Sequence, residues 1–556
     1  MKKIIYLILA GAALCASESK AQFDYPPTKR MDQADDYFGK KIADPYRWLE
    51  DDRSEETANW VNSQVEFTNH YLSQLPFREE ISNRLTEVWN YEKYSAPFKK
   101  GDYYFFYKND GVQNQSVLYY QKGLDAESMV LIDPNTFSED GTSSLTNFSV
   151  SNDGKYAAYG ISLAGSDWKE FFVMELSSKK QLKDHLKYIK FSSIAWEGNG
   201  FYYTRYDVKD EKKMFSQKNE FPKVYFHKIG DSQQKDVLIH ENKENGQISY
   251  YAGVTEDEKV IYLSETESTS GNGLYYRLPG QKDFKLLAAG YKFDYQVIGH
   301  HENKLIVLTN DNAPKYRLIS IDLSKPEKKD WENIIAQKED VLKTVTIADG
   351  KIVANYLKDV SSRLYVYSME GKMLKEIELP GLGIVNAFNG DKNSPVGFFT
   401  FSTFTAPTAI YKINLSTNEE ANIFRRAEVD FRADGYETHQ VFYPSKDGTK
   451  IPMFIVHKRG IERDGNNPVL LYGYGGFNIS ITPSFKVENT VFLERGGIYV
   501  VANIRGGGEY GKDWHNAGTL LNKQNVFDDF IGAAEYLIIN KYTNPSKIAI
   551  SGRSNG

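Results

Sequence analysis

The sequence predicts a seven-bladed β-propeller followed by a doubly wound α/β domain with a mainly parallel sheet. This second domain has the α/β-hydrolase arrangement, and only its first part is expected here. Three observations predict this fold class. Short apolar and aromatic runs recur from about residue 90 to about residue 425. Buried strands then alternate with a helix. One G-x-S-x-G motif stands directly after the last of these strands.

Residues 1–21 have the pattern of a secretory signal peptide. Two lysines precede an apolar run from Ile4 to Ala16, and Ser19 and Ala21 are small residues at the −3 and −1 positions. Because this run is too short to span a bilayer, we expect cleavage near Ala21, no membrane association afterwards, and a periplasmic or secreted protein. Cys15 is the only cysteine, so the mature chain would have no disulfide and no thiolate metal site.

A helical segment is predicted over residues 22–75. Val61, Val65 and Phe67 stand among polar residues at irregular helical spacing, and Pro76 marks the expected end. This segment is expected to be associated with the α/β domain, although it precedes the propeller in the chain.

Residues 76–427 contain seven copies of one pattern, in which a turn rich in Asp, Asn or Gly leads into a β-type run and a second run follows. Successive copies begin about 44 to 58 residues apart, the spacing of four-stranded propeller blades. A β-sandwich or a tandem of small β-domains is the alternative interpretation. The first runs of the seven copies are Tyr103–Tyr107, Tyr156–Tyr159, Phe201–Tyr203, Val260–Leu263, Leu305–Leu308, Ile352–Ala354 and Val396–Phe399.

Residues 428–556 are predicted to form the N-terminal part of the α/β domain. Strands that alternate with helices indicate a mainly parallel sheet. The predicted elements are a hairpin of His439–Tyr443 and Ile451–His457, strands at Pro468–Tyr472 and Gly497–Asn503, a helix at Val526–Ile539 and a strand at Ile548–Ile550.

The G-x-S-x-G motif comprises Gly552 to Gly556 and makes Ser554 the candidate nucleophile. A sharp turn from strand to helix with flanking glycines exposes the serine hydroxyl above a sheet, and the N–H of the following residue, here Asn555, stabilises an oxyanion. The loop Tyr472–Phe477 is expected to give the second donor, because its glycines permit close approach and a tyrosine offers a hydroxyl. The alternatives are a glycine-rich surface turn and core packing of one tyrosine.

Four blocks of the sequence resemble the prolyl oligopeptidase family of serine peptidases, in the same order along the chain. They are Asp44–Glu50, Tyr472–Ser480, Ala502–Gly511 and Gly552–Gly556. The resemblance implies a seven-bladed propeller that covers an α/β-hydrolase domain and restricts it to short peptides, which are cleaved after proline. It also implies that Tyr474 contributes to the oxyanion hole and that Phe477 forms a wall of the proline pocket. Arg553 replaces a glycine that is frequent in the family.

An acid and then a histidine follow the serine in the α/β-hydrolase order, but only two residues follow Ser554 here. We therefore expect that the chain is truncated after its nucleophile, lacks the triad Asp and His, is inactive, and exposes apolar surface in its incomplete sheet. His515, near the glycine-rich block, is interpreted as an ordinary surface histidine. All nine histidines precede the serine: His70, His185, His227, His240, His300, His301, His439, His457 and His515.

The expected partners are short proline-containing peptides. The net charge of −6 argues against nucleic-acid binding, no cofactor or metal motif is recognised, and a monomer is expected. The alternatives are an oligopeptidase specific for basic or acylaminoacyl residues on the same fold, and a non-catalytic propeller that binds peptides.

Overall fold

The computed structural model describes residues 23–208, 210–211, 214–215 and 217–556, so the predicted signal peptide lies outside the described residues. The chain divides into two compact units, residues 1–84 and residues 85–556. None of the described helices has the length and apolar character needed to cross a membrane.

The first unit contains helix α1, Glu55–Ser73, as the sequence predicted. The Ser54 hydroxyl accepts a hydrogen bond from the Thr57 N–H and caps the helix. A hairpin of β1, Ala34–Tyr37, and β2, Lys40–Ala43, was not predicted, because its mostly exposed and charged residues show no apolar alternation. A second helix, α2, spans Arg78–Trp89. The expected boundary at residue 75 therefore separates two helices, and propeller-type strands begin only at Lys93.

Antiparallel sheets fill the region up to residue 426, and a β-propeller is confirmed. The first sheet comprises β3 Lys93–Tyr94, β4 Phe98–Lys100, β5 Tyr103–Asn109, β6 Val117–Lys122 and β7 Met129–Ile132. An eight-stranded sheet comprises β8 Ser144–Val150, β9 Tyr156–Ser162, β10 Lys169–Glu175, β11 Lys180–Ile189, β12 Ala195–Glu197, β13 Gly200–Arg205, β14 Lys223–Lys228 and β15 Val237–Glu241.

Four further sheets have four strands each. They comprise β16 Ser249–Val254, β17 Ile261–Thr266, β18 Gly273–Arg277 and β19 Lys285–Ala288; β20 Tyr295–His301, β21 Lys304–Thr309, β22 Arg317–Asp322 and β23 Glu332–Ile335; β24 Val341–Ala348, β25 Lys351–Lys358, β26 Ser361–Ser368 and β27 Met373–Ile377; and β28 Ile384–Asn389, β29 Val396–Ser402, β30 Ala409–Asn414 and β31 Asn422–Arg426.

The seven predicted runs fall on strands β5, β9, β13, β17, β21, β25 and β29. Within the described residues the propeller region has fewer than seven separate sheets, because β11 pairs with β13 through Ile189 and Arg205 and joins eight strands into one sheet. The repeat therefore located the strands correctly, but the boundaries between sheets depend on local pairing.

The α/β domain has one five-stranded sheet in the order β32-β33-β35-β34-β36. Strand β34 runs parallel to both β35 and β36, whereas β33 is antiparallel to β35. Its elements are β32 Tyr436–Pro444, β33 Lys450–Lys458, β34 Val469–Tyr472, α3 Val487–Glu494, β35 Ile498–Ala502, α4 Lys512–Asn516, α5 Gln524–Ile539 and β36 Ile548–Ser551. Short 3-10 helices in the whole chain include Arg47–Glu50, Pro134–Thr136, Gln233–Lys235, Lys328–Asp330, Ala433–Gly435, Leu520–Asn522 and Pro545–Lys547.

Helix α5 packs one face on this sheet. Ala533 and Leu537 belong to the same buried apolar cluster as Leu471 and Val500 of the central strands. Large apolar side chains elsewhere on α5 and β36 are exposed, including Ile550, which is 71% exposed on the edge strand β36. The expectation of exposed apolar surface in this domain is therefore confirmed.

The turn between β25 and β26 carries propeller residues into the core of the α/β domain. Asp359 and Val360 both have positive φ, 44° and 65°, a conformation that is unfavourable for a β-branched residue such as valine. The Val360 side chain is fully buried in one cluster with Phe454 and Tyr499 of the α/β sheet. This burial offsets the backbone strain and fixes the propeller against the α/β domain.

Candidate active site

Three loops converge at one edge of the α/β sheet. Because β34, β35 and β36 are parallel neighbours, the segments that follow them leave the sheet on the same side. We call Tyr472–Ser480 the first loop, Asn503–Gly511 the second loop and Gly552–Gly556 the elbow.

The elbow holds Ser554 in a strained, exposed position. Its φ is 54°, and the residue is exposed to solvent. A Cβ on Gly552 would lie 2.3 Å from the carbonyl carbon of Gly556, and one on Gly556 would lie 2.6 Å from the Gly473 oxygen. Both glycines are therefore required for the tight turn and for its approach to the first loop, as expected for a nucleophile elbow.

Asn555 joins the elbow to the first loop. Its Nδ2 donates a hydrogen bond of 2.9 Å to the carbonyl oxygen of Tyr474. A Cβ on Gly476 would lie only 2.4 Å from the same Nδ2, so the glycine makes this contact possible. The residues that the sequence singled out as nucleophile and oxyanion candidates are thus neighbours.

The two tyrosines of the first loop have different surroundings. Tyr472 packs against the apolar cluster that contains Phe454, and the Lys486 Nζ lies 5.0 Å from its ring centre. Tyr474 is half-buried beside the elbow. Of the two, Tyr472 is therefore the one with a packing role.

Phe477 lies where the first loop faces the propeller. It has a φ of 53° and is 49% exposed. It lines a cavity of about 250 Å³ together with Asn478 and propeller residues that include Tyr316 and Val341. The Asn478 Nδ2 also donates a hydrogen bond of 3.4 Å to the Tyr316 hydroxyl. An aromatic wall at the interface between the two domains is consistent with the predicted pocket.

His515 is not the surface histidine that we expected. It is only 9% exposed, and its Nδ1 lies 2.7 Å from the Gly506 oxygen and 3.0 Å from the Asn478 nitrogen. Burial lowers its pKa. It therefore bridges the first and second loops, a role that its position in the short helix α4 did not reveal.

Arg505, in the second loop, forms a buried ion pair that the sequence did not predict. Its Nη2 donates to Asp529 Oδ1 at 2.6 Å, and its backbone N–H donates to Asp529 Oδ2 at 2.9 Å. Asp529 lies on α5 and is fully buried. Hydrogen bonds from Arg505 also hold the pKa of the Asp447 carboxyl well below its ordinary value. Helix α5 and the β32–β33 turn thus fix the beginning of the second loop.

Glu509, also in the second loop, is buried with one carboxyl oxygen lacking a partner. Its Oε1 accepts a hydrogen bond of 2.8 Å from the Ile481 N–H, while Oε2 has no hydrogen-bond partner. Burial raises its pKa to about 7. The positive charge of Lys343 on β24 acts against this rise. The Lys343 Nζ lies 3.4 Å from the Ser480 hydroxyl, and burial lowers the pKa of this lysine.

No general base for Ser554 is found among the described residues. Within them, the Ser554 hydroxyl forms no hydrogen bond with a histidine or a carboxylate. Among the described residues, the geometry therefore brings the candidate nucleophile and the candidate donor loop together without a hydrogen-bonded triad.

Two family profiles match the chain. The one described as the prolyl oligopeptidase N-terminal β-propeller domain matches residues 26–425, and the one described as the prolyl oligopeptidase family matches residues 483–556. The chain therefore belongs to the prolyl oligopeptidase family of serine peptidases.

Named relatives agree with this assignment. A prolyl endopeptidase of Elizabethkingia miricola is 42% identical over 100% of this chain and 79% of its own length. One of Elizabethkingia meningoseptica is 43% identical over 98% of this chain and 77% of its own length. A solved prolyl oligopeptidase B of Galerina marginata, bound to a 25mer macrocyclization substrate, superposes with a TM-score of 0.88 at 32% identity and covers 96% of this chain and 79% of its own.

The ion pair between Arg505 and Asp529 predicts a large loss of stability for Asp529→Asn. This change leaves the buried guanidinium without its main counter-charge, so we expect the free energy of unfolding to fall by about 3–5 kcal/mol. Asp447→Asn is the matched control, because the Asp447 side chain is 45% exposed and its loss should cost about 1 kcal/mol or less. Urea unfolding followed by tryptophan fluorescence measures both; equal losses would contradict the prediction.

The raised pKa of Glu509 predicts that the free energy of unfolding depends on pH. Its carboxyl holds a proton up to about pH 7 in the folded chain but releases it near its ordinary value of 4.5 in the unfolded chain. Between these values the unfolded state binds fewer protons, so stability falls as the pH rises, by up to about 1.4 kcal/mol per pH unit. Glu509→Gln should remove this slope. Urea unfolding at several pH values tests it, and parallel profiles for the two proteins would refute it.

Proposed function

We propose that this protein is a serine endopeptidase that hydrolyses short peptides on the carboxyl side of proline. The observation that carries the proposal is the hydrogen bond of 2.9 Å between Asn555 of the elbow and the Tyr474 carbonyl. This bond supports the proposal, because it joins the residue that follows Ser554 to the loop that contains Tyr474. The prolyl endopeptidases among the relatives support the specificity for proline.

In this proposal the Ser554 oxygen attacks the carbonyl carbon of the prolyl residue, the C–N bond to the next residue breaks, and the amine leaves with a proton. Water then hydrolyses the acyl-enzyme, which releases the prolyl carboxylate and restores the Ser554 hydroxyl. The N–H of Asn555 and the hydroxyl of Tyr474 donate hydrogen bonds to the oxyanion. Phe477 supplies an apolar wall against the pyrrolidine ring. A serine hydroxyl is a poor nucleophile without a base, so hydrolysis by the described residues alone is not expected.

The propeller is proposed to have seven blades and to limit the size of the substrate. The eight-stranded sheet then counts as two blades, β8–β11 and β12–β15, which meet at the single pair of Ile189 and Arg205. A closed ring of blades leaves few exposed strand edges and restricts access to the three loops. Peptides bound to a solved relative, a 25mer in one case, support a peptide substrate.

Export and a monomeric state also belong to the proposal. The basic and apolar residues at the start of the sequence support a cleaved signal. N-terminal sequencing of protein recovered from the periplasm or the medium should begin near Gln22, and size-exclusion chromatography with light scattering should give the monomer mass.

The substrate prediction concerns chromogenic peptides with proline, arginine or an acylated alanine before the scissile bond. We expect the proline peptide to be cleaved fastest by a version extended at its C terminus by residues that supply an acid and a histidine. The 556-residue chain and the extended Ser554→Ala variant should not cleave it. Preference for arginine or acylated alanine would favour the related specificities. A folded extended protein that cleaves nothing would favour a peptide-binding propeller.

The oxyanion role predicts a specific effect of Tyr474→Phe. In the extended protein, removal of this hydroxyl should lower kcat by about 10²- to 10³-fold with little change in KM, because the hydrogen bond forms with the transition state. Tyr472→Phe is the matched control in the same loop and should leave kcat nearly unchanged. Steady-state kinetics distinguishes the two tyrosines, and similar losses in both variants would contradict the assignment.

A further inference from the structure

Three potential metal ligands meet at the edge of the α/β sheet, on elements that the proposed catalysis does not use. Glu437 and His439 lie two residues apart on the edge strand β32 and share one face. His457 on β33 stands opposite Glu437 in the antiparallel register. One ligand atom from each side chain lies within 4.8 Å of the others. We call these three residues the edge cluster.

The His457 imidazole is buried and faces Glu437. Its side chain is only 3% exposed, and its Nδ1 lies 3.6 Å from Glu437 Oε1 and 2.9 Å from the Lys458 carbonyl oxygen. Its Nε2 is buried and has no hydrogen-bond partner. Whichever nitrogen carries the proton of the neutral ring, the other has a lone pair that can bind a cation.

The other two ligands are open to solvent, so a cation can enter. The side chain of His439 is 42% exposed and that of Glu437 is 28% exposed. His439 Nε2 lies 3.5 Å from Glu437 Oε2, and the two imidazole centres are 5.2 Å apart. Ligand atoms of a tetrahedral zinc ion are about 3.4 Å apart, given bonds of about 2.1 Å. The ligand atoms of the edge cluster lie within 4.8 Å of one another, so side-chain rotation must bring them closer.

Arg459 competes with a cation at this place. Its Nη1 lies 3.7 Å from Glu437 Oε2, but its side chain is 62% exposed, and such a contact is worth about 1 kcal/mol or less. A cation would displace Arg459 from Glu437, so this arginine should weaken binding without preventing it.

We propose that Glu437, His439 and His457 form a binding site for a divalent transition-metal cation, Zn²⁺ in particular. Two imidazole nitrogens and one carboxylate oxygen are ligands that Zn²⁺ prefers, and a water molecule can complete the tetrahedron. The ion connects β32 to β33 and stabilises a strand that is paired on one side only.

Isothermal titration calorimetry at neutral pH measures the binding of ZnCl₂ to the 556-residue chain. The protein carries no tag and is first freed of metal with a chelator. We expect one ion per chain. His439→Asn and Glu437→Gln should each weaken binding at least about tenfold. Both residues are partly exposed, so these variants should fold. His185→Asn is the matched control, because His185 and Glu170 form a partly exposed pair, 2.6 Å apart, with no third ligand in the described residues. The affinity of the His185→Asn variant for Zn²⁺ should equal that of the unmodified chain.

Two further readouts distinguish coordination from nonspecific adsorption. Arg459→Gln should tighten Zn²⁺ binding, because it removes the competing charge. Co²⁺ in place of Zn²⁺ should give the visible absorption of a tetrahedral site in the unmodified chain but not in His439→Asn. Absence of Zn²⁺ binding at millimolar concentration, or equal affinities for the unmodified chain and His439→Asn, would overturn the proposal.

Discussion

The parallel pairing of β34 with β35 and β36 is the constraint on which the candidate site depends. Parallel neighbours end at the same edge of a sheet, so three segments that are far apart in sequence leave that edge together. The glycines at 552 and 556 then allow backbone to approach backbone, and Gly476 leaves room for the Asn555 side chain. Substitution at these positions would separate the serine elbow from the first loop even if every strand remained intact.

Buried charge holds the second loop in place. The bonds from Arg505 to Asp529 and Asp447 satisfy a guanidinium that is only 5% exposed, and this arrangement ties the loop to helix α5 and to the β32–β33 turn. Glu509, a few residues later, is buried without such compensation, since Lys343 does not form a hydrogen bond with it. One loop therefore contains both a stabilising ion pair and a carboxyl whose ionisation opposes folding.

The propeller also shapes the site through several contacts with the α/β domain. The strained Asp359–Val360 turn inserts an apolar side chain into the α/β core, and the Tyr510 hydroxyl donates a hydrogen bond of 2.9 Å to Asp359. The cavity beside Phe477 is lined by residues of both domains. An enclosed pocket there consequently requires both domains, and relative movement between them would change its size.

The sequence by itself determined the order of the domains, the strands of the propeller, the sheet and helix α5, and the candidates Ser554 and Asn555, because these follow from apolar periodicity, turn chemistry and short motifs. Tyr474 and Phe477 became candidates through the resemblance to the prolyl oligopeptidase family. The sequence did not determine which strands merge into one sheet, since pairing such as that of Ile189 with Arg205 depends on geometry between distant segments. Nor did it identify Asp529, Glu509 or His515, or the meeting of Glu437 with His439 and His457. Polar residues on helices and strands look alike in sequence, and only the tertiary structure decides which of them are removed from water and which partners they find.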